Sequence, residues 1–272
     1  MRVLRRSAHA LGAGLLLTGC GSGQAAAPSP PGTNEPPVIH ELLKNTDRAE
    51  VGGIIEFAVD VDDAETSRND LVYEWSATAG TILGKGSRVQ WRAPVGAVPS
   101  MQEIALTVLD RYTIRGGRPI AFGENQATAS AKVFVNNTPA ELQSLAFTFI
   151  DDFIHTERSP LYCVRNFSDS CRGKFDELSD VVNNRIQFVI DANASTFTLR
   201  SISYFTPGNV PDQTTFATVR LNCHFVSTNR FTGVTGPADS ICRLNNVYEN
   251  HQWRLCDSLF DPPAGVSTAF VF

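Results

Sequence analysis

Asp151, Asp152 and His155 fall within one five-residue stretch, and Tyr162 follows seven residues later. Carboxylates beside an imidazole can accept and return a proton, and a tyrosine hydroxyl can donate to an oxyanion. Tyr204, Tyr248 and Trp253 supply two more hydroxyls and an indole N–H. If a pocket is present, Asp152, His155, Tyr204, Tyr248 and Trp253 are the residues expected to line it. The same spacing suits a solvated helix face. That reading is preferred, and no catalytic residue is assigned. A second acidic group, Asp60, Asp62, Asp63 and Glu65, has the oxygen ligands a hard cation takes but not the spacing of a calcium loop. It is expected to be a wet strand end. The six cysteines match no zinc motif, and no Gly-x-Ser-x-Gly, phosphate loop or His-Glu-x-x-His occurs. His40, His224 and His251 are scattered and expected to be structural. Neither a metal nor a cofactor is expected.

The elements that would position these residues begin after a leader. Arg2, Arg5 and Arg6 precede the apolar run from Ala8 to Thr18. That run is about half the roughly 20 residues a spanning helix needs, so it reads as the core of a signal peptide, residues 1–19. It ends in Leu17-Thr18-Gly19-Cys20, which resembles the lipobox of bacterial lipoproteins. The resemblance implies a diacylglycerol thioether on Cys20 and an extracytoplasmic address on the bacterial cell envelope. Two or three acyl chains anchor stably where one is marginal. Residues 20–36 (the cysteine and GSGQAAAPSPPGTNEP) have almost no bulky apolar side chain and read as a tether. Loss of the leader removes three arginines and no acid, moving the formal net charge from −5 to −8. Such a chain lacks the basic footprint of a nucleic-acid binder, and no nucleic acid is expected. The expected partners are the membrane, through the lipid, and an envelope or extracellular protein.

Residues 37–137 alternate apolar and polar side chains in short runs: Val38 to Leu43, Ile55 to Asp62, Leu71 to Trp75, Val89 to Ala93, Ile104 to Val108 and Ala127 to Val135. A period of two means one buried and one wet face, and this many short strands between Gly and Asp turns predicts an all-β sandwich. The succession NEPPVI, VGGIIEFAVDVDDAETSRNDLVYEWSATAGTI, VQWRAP and IALTVLD resembles Ig-like domains of the PKD type. The resemblance implies that Trp75 is the core tryptophan. Arg111 to Asn125 departs from that pattern as a Gly-rich hairpin insertion, the best candidate in this region for a variable contact surface.

Residues 138–272 change character. Thr138-Pro139-Ala140-Glu141 has the form of a capping box with proline at the first helical position. Leu142, Leu145, Ala146, Phe149 and Phe153 then share one helical face. A second helix is expected over 174–185 with Phe175, Leu178 and Val182 inward. Strands follow over 186–190, 196–205, 216–226, 240–248 and 252–260, with turns at Asn229–Pro237 and Glu249–His251. The stretches TPAELQSLAFTFIDDF, ATVRLNCHFVSTNRFTG and VYENHQWRLCDSLF resemble the NTF2-like group, which includes SnoaL-type cyclases and ketosteroid isomerase. Their fold is α+β, a curved antiparallel sheet over helices. A fainter likeness of FVSTNRFTGVTGPADSICRL to C-type-lectin-like modules ranks second.

With Cys20 lipidated, Cys163, Cys171, Cys223, Cys242 and Cys256 remain, an odd number in an oxidising compartment. Cys163 and Cys171 enclose a short loop. Cys223 and Cys242 are symmetric about the Asn229–Pro237 turn, and Cys242 and Cys256 about the next one, so Cys242 has two possible partners. The expected bridges are Cys163–Cys171 and Cys223–Cys242, leaving Cys256 free. The functional expectation is a non-enzymatic lipoprotein that binds a protein or ligand, or serves as a structural or adhesive module. An NTF2-like enzyme or small-molecule carrier is the alternative, together with carbohydrate binding by the sandwich.

Overall fold

The computed structural model describes residues 34–96, 99–114 and 121–261, all within one compact unit, Asn34–Phe272. The leader, Cys20 and nearly all of the tether lie outside the described residues.

The first region is built from β1 (Val38–Lys44), β2 (Arg48–Glu50), β3 (Ile54–Asp62), β4 (Val72–Ala77), β5 (Thr81–Leu83), β6 (Arg88–Arg92), β7 (Ser100–Ile114) and β8 (Ala121–Asn136). They form two four-stranded sheets, β1-β3-β6-β5 and β2-β8-β7-β4. Alternation makes the core: Ile55 and Phe57 of β3 and Val89 and Trp91 of β6 meet Ile104 of β7 and Val133 and Val135 of β8. Trp75 is only partly buried, its indole N–H donating to Gly86 O at 2.9 Å. The fully buried tryptophan is Trp91, which donates to Ala79 O at 3.0 Å. The expectation that Trp75 is the core tryptophan is corrected on this point. The indole of Trp75 must reach a carbonyl in the Gly84–Gly86 turn at the sheet margin, so its ring stays at the edge of the core. Arg111–Asn125 is largely strand: β7 and β8 pair without interruption out to Ile114↔Ala121.

The second region starts with α1 (Thr138–Ile154). Its N-cap is Asn137, one residue before the expected Thr138: Asn137 Oδ1 accepts from Ala140 N, and Glu141 accepts from Asn137 N at 2.7 Å. Thr138 is drawn away because its hydroxyl donates to Glu50 Oε1 at 2.6 Å. Next come α2 (Leu161–Val164), α3 (Gly173–Gln187) and β9 (Phe188–Ile190). They are followed by β10 (Thr196–Tyr204), β11 (Phe216–Asn229), β12 (Thr235–Glu249) and β13 (Gln252–Asp261). The antiparallel sheet runs β10-β11-β12-β13, with β9 also on β11. Bulges between Leu199 and Ser201 and between Asn245 and Asn246 bend it. The second turn is tight, with Asn250 and His251 both at positive φ (49° and 62°), as a two-residue hairpin loop requires.

Both disulfides depend on this register. Cys223 pairs with Ser240 and Leu221 with Cys242, two residues away from the register centred on the cysteines. The Cys223–Cys242 bridge therefore runs diagonally, with Cα atoms 6.3 Å apart. The second bridge is Cys171–Cys256, and Cys163 is free and buried, so the expected Cys163–Cys171 pair and free Cys256 are both corrected. The cause is the bulge in β13. Asn245 faces Asp257 while Asn246 faces Leu255, leaving Cys256 as the extra residue. Leu255 also makes a parallel bridge to Phe167, with Ser168 N donating to Leu255 O at 2.8 Å. The loop after Phe167 is thus laid along β13, which brings Cys171 to Cys256.

Candidate functional site

The concave side of the bent sheet is the place where a pocket would lie, and aromatic side chains occupy it. Phe149 and Phe153 project from α1 at 1% and 5% exposure, and Trp253 and Leu255 from β13 at 6% and 0%. Phe153 stacks on Phe260 at 4.9 Å and tilts against Phe225 at 5.7 Å, while Phe149 contacts Phe167 at 5.9 Å. Leu142, Ala146 and Ile150 complete the α1 face that lies on Val219, Leu221 and Leu244.

The five expected pocket residues separate into two groups. Asp152 and His155 sit at the C-terminal end of α1. Asp152 is 1% exposed, and both of its oxygens face guanidinium groups: Oδ1 accepts from Arg158 Nη1 at 2.9 Å, and Oδ2 lies 2.8 Å from Arg165 Nη2 as an ion pair. These two arginines, Asp152 and Tyr162 line a surface cleft of about 470 Å³, and the Arg165 guanidinium lies over the Tyr162 ring at 5.1 Å. Asp151 also accepts from Arg158, at 2.7 Å, and its hydrogen bond is the main cause holding the Arg158 pKa above the ordinary guanidinium value. His155 is half-exposed, with Nδ1 2.7 Å from Glu157 Oε1.

Arg185 of α3 closes this end from beneath. It donates to the carbonyls of Asp152 at 3.0 Å and His155 at 3.3 Å, and also to that of Arg158. α1 has no basic residue in its own last turn. Arg185 therefore supplies the cation that orphaned helix carbonyls and the negative end of the dipole favour. Burial pushes the Cys163 thiol up to about 11, with Arg185 Nη2 3.6 Å from its sulfur. That thiol stays protonated and is a poor nucleophile at neutral pH. A base needs a free lone pair facing its substrate. Asp152 is held between two guanidinium groups, and this cluster fixes the C-terminal end of α1.

Tyr204, Tyr248 and Trp253 lie elsewhere, in and beside the junction between the two regions. Tyr248 donates to Asn136 Oδ1 at 2.8 Å and lies under the Arg48 guanidinium at 4.2 Å. Trp253 packs on Tyr248 at 5.4 Å and donates to Thr138 Oγ1 at 3.3 Å. Glu50 receives both the N–H and the hydroxyl of Thr138, and Arg48 donates to Thr214 O at 2.6 Å. His251 stacks on Phe134 at 4.6 Å. Burial raises the pKa values of Glu50, Tyr248 and Tyr204 alike. Tyr204 packs against the core of the second region. Tyr248, with Arg48, Glu50, Thr138 and His251, locks one region onto the other.

Arg48, Glu50, Arg158, Arg165 and Arg185 were not legible as partners in the sequence. Only β2, three residues long, carries the first two, and no periodicity marks so short a strand. Arg185 would have required knowing which face of α3 is buried. The acidic group near β3 is structural: Asp60 and Asp62 pair with Arg68, and Asp63 Oδ1 accepts from the N–H groups of Glu65 and Thr66. Among the described residues no group of three or more such side chains could hold a metal ion.

No protein-family model and no curated protein matches this chain. Among solved structures, a ketosteroid isomerase-like protein from Erwinia carotovora atroseptica SCRI1043 is 13% identical, covering 46% of this chain and 95% of that one, with a TM-score of 0.38. A conserved protein from Planctomyces limnophilus DSM 3776 is 14% identical over 46% of this chain and 97% of its own, with a TM-score of 0.36. An Ntf2-like protein involved in plasmid conjugation is 7% identical over 72% and 79%, with a TM-score of 0.27. All three scores fall below 0.5, and the likenesses identify no family for this chain.

Proposed function

We infer that this chain is an envelope lipoprotein, held on a membrane by a lipid on Cys20, whose extracytoplasmic part works by binding and not by catalysis. In this reading a PKD-type Ig-like sandwich carries an NTF2-like head, and the head engages an envelope or extracellular protein. The observation that carries it is the interior of the head: the concave side of the sheet is packed with Phe149, Phe153, Phe225, Phe260 and Leu255. An isomerase or small-molecule carrier needs that volume open, with a carboxylate aimed into it. The one buried carboxylate at the helix end is instead taken by two arginines. Two disulfides support an oxidising compartment, and the bonded junction supports a sandwich that presents the head in a fixed orientation.

The test is metabolic labelling of the full chain with a palmitate analogue, followed by photo-crosslinking in intact cells. Label should be incorporated by the wild type and lost in Cys20→Ser, and a discrete protein should be captured. Label retained by Cys20→Ser would remove the anchor. A small molecule co-purifying in the head, displaced when Phe149 is enlarged to Trp, would remove the non-enzymatic binding role.

A further inference from the structure

The β7–β8 hairpin outruns the sheet it belongs to. β4 pairs with β7 only as far as Leu109, and β2 pairs with β8 only over Phe134–Asn136. Beyond these limits Asp110–Ile114 and Ala121–Asn125 form a two-stranded ribbon with no other described strand beside it. At about 3.3 Å per residue it projects roughly 16 Å. The Tyr112 ring lies across Gly123 and leaves no room there for a Cβ. Phe122 stands out from the ribbon at 80% exposure. Asp110 is buried at its base, and its other charged side chains, Arg111 and Glu124, pair with each other at 2.8 Å.

The chain enters the fold at the base of this ribbon. Asn34 O accepts from Asn125 Nδ2 at 2.8 Å, and Asn34 Nδ2 donates to Asp110, whose other oxygen accepts from Thr66 Oγ1 at 2.6 Å. The head begins at the opposite end of β8, at Asn136, about 36 Å from Asn125 at the rise of a strand. Cys20 and Asn34 are fourteen residues apart; read as a tether, such a segment averages roughly 20 Å from end to end. That length is comparable with the projection of the ribbon. We propose that the ribbon is a second membrane contact, with Phe122 seated at the headgroup level beside the anchor. The contact rests on the lipid-anchored reading above. An exposed apolar ring gains by burial at the boundary between headgroups and acyl chains, and the ribbon's internal ion pair lets it approach without a net charge of its own. Asp60, Asp62 and Glu65 lie at the same end of the sandwich, and anionic lipid would repel them at contact. A ribbon of about 16 Å holds them beyond the Debye length of roughly 8 Å at physiological ionic strength.

The experiment uses the full chain, expressed with its own leader, purified in detergent and reconstituted into vesicles of phosphatidylethanolamine and phosphatidylglycerol. Phe122→Cys carries an environment-sensitive fluorophore in one sample and Phe231→Cys carries it in another. Both positions are exposed, Phe231 lies in the β11–β12 turn of the head, and Cys163 is buried. On reconstitution the emission at position 122 should shift to shorter wavelength, and brominated lipid should quench most of it. The emission at position 231 should do neither. Uptake of a palmitate analogue and flotation with the vesicles are read on the same samples. A chain that carries the lipid and floats, yet is quenched no more at 122 than at 231, overturns the ribbon contact and leaves the anchor standing. A chain that takes up no palmitate analogue overturns both.

Discussion

α1 and α3 pack against the same sheet by opposite means. α1 follows the hydrophobic pattern: Leu142, Ala146, Phe149, Ile150 and Phe153 face the strands, and burying each large side chain contributes roughly 1.5–3 kcal/mol. α3 turns Glu177, Asn184 and Arg185 inward and leaves its largest apolar residues outside. Val181 and the partly buried Leu178 give it a small apolar contact with the core, and a set of discrete links adds to it. Cys171–Cys256 closes just before its first turn, and Gly173 sits so near β13 that a Cβ there would lie 2.2 Å from Cys256 O. Glu177 accepts from the Ser258 hydroxyl, and Arg185 binds the end of α1. A helix can thus be placed by area or by a few specific bonds, and only the first leaves a periodic trace in the sequence.

The sharpest way to break this contrast is to cut the links one helix uses and not the other. Replacing both Cys171 and Cys256 by Ser opens a loop of 85 residues, for which the chain-entropy relation gives about 4.5 kcal/mol. The Cys223→Ser/Cys242→Ser double variant opens one of 19, worth about 3 kcal/mol. Urea titration should rank the two losses in that order. Amide exchange should show α3 loosened in the first variant and α1 still protected. Equal exchange in both helices would mean that the packing of Val181 and Leu178 holds α3 without the bridge. For α1 the matching cut is Phe149→Ala, expected to cost about 3–5 kcal/mol through the cavity it leaves. Here both helices should loosen together, because Phe149 packs on Phe167 in the segment that leads to Cys171.

The same contrast explains how far the sequence could be read. Alternation placed the cores of the longer strands and the Leu142–Phe153 face placed α1, while β2 and β5 are too short to show a period. The Asn250-His251 turn was legible because a two-residue loop imposes its own residue types. The Cys171–Cys256 bridge was not, because it follows from the bulge at Asn245–Asn246 and the Phe167↔Leu255 bridge, and neither has a local signature. Among the expected site residues, Asp152 was found but its role was not. Its partners, Arg158 and Arg165, are close in sequence, but nothing there says that they turn back onto it. For α3 the pattern was partly misleading: of Phe175, Leu178 and Val182, all expected inward, only Leu178 packs on the core, and the polar links to β13 and to the end of α1 override the preference of the other two.

Glu177 provides a more delicate comparison. Burial raises its pKa from about 4.5 to about 7, partly offset by the Ser258 hydrogen bond. In the unfolded chain the carboxyl ionises near its ordinary value, while in the folded protein it holds its proton to about pH 7. The folded state therefore binds more protons between these limits, and stability falls as the pH rises through that window, then levels off above it. Glu177→Gln keeps an acceptor for Ser258 and removes the ionisation. The variant should match the wild type near pH 4 and become the more stable protein by neutral pH, the gap widening between about pH 4.5 and 7. Paired melts across that range would show it. A constant gap would mean that the Glu177 carboxyl ionises at the same pH in the folded and unfolded chains, so that its burial does not penalise the charge.

The smallest effect is the one that separates the two helices most cleanly. Phe175 is 78% exposed and Phe149 is 1% exposed, yet both are phenylalanines on helices against one sheet. For a surface position, truncation should change stability within about 0.5 kcal/mol, and serine has nearly the helix propensity of phenylalanine. Phe175→Ser should therefore leave the urea midpoint almost where it was. A loss of several kcal/mol would place Phe175 in the core of its own chain and return α3 to the ordinary amphipathic pattern.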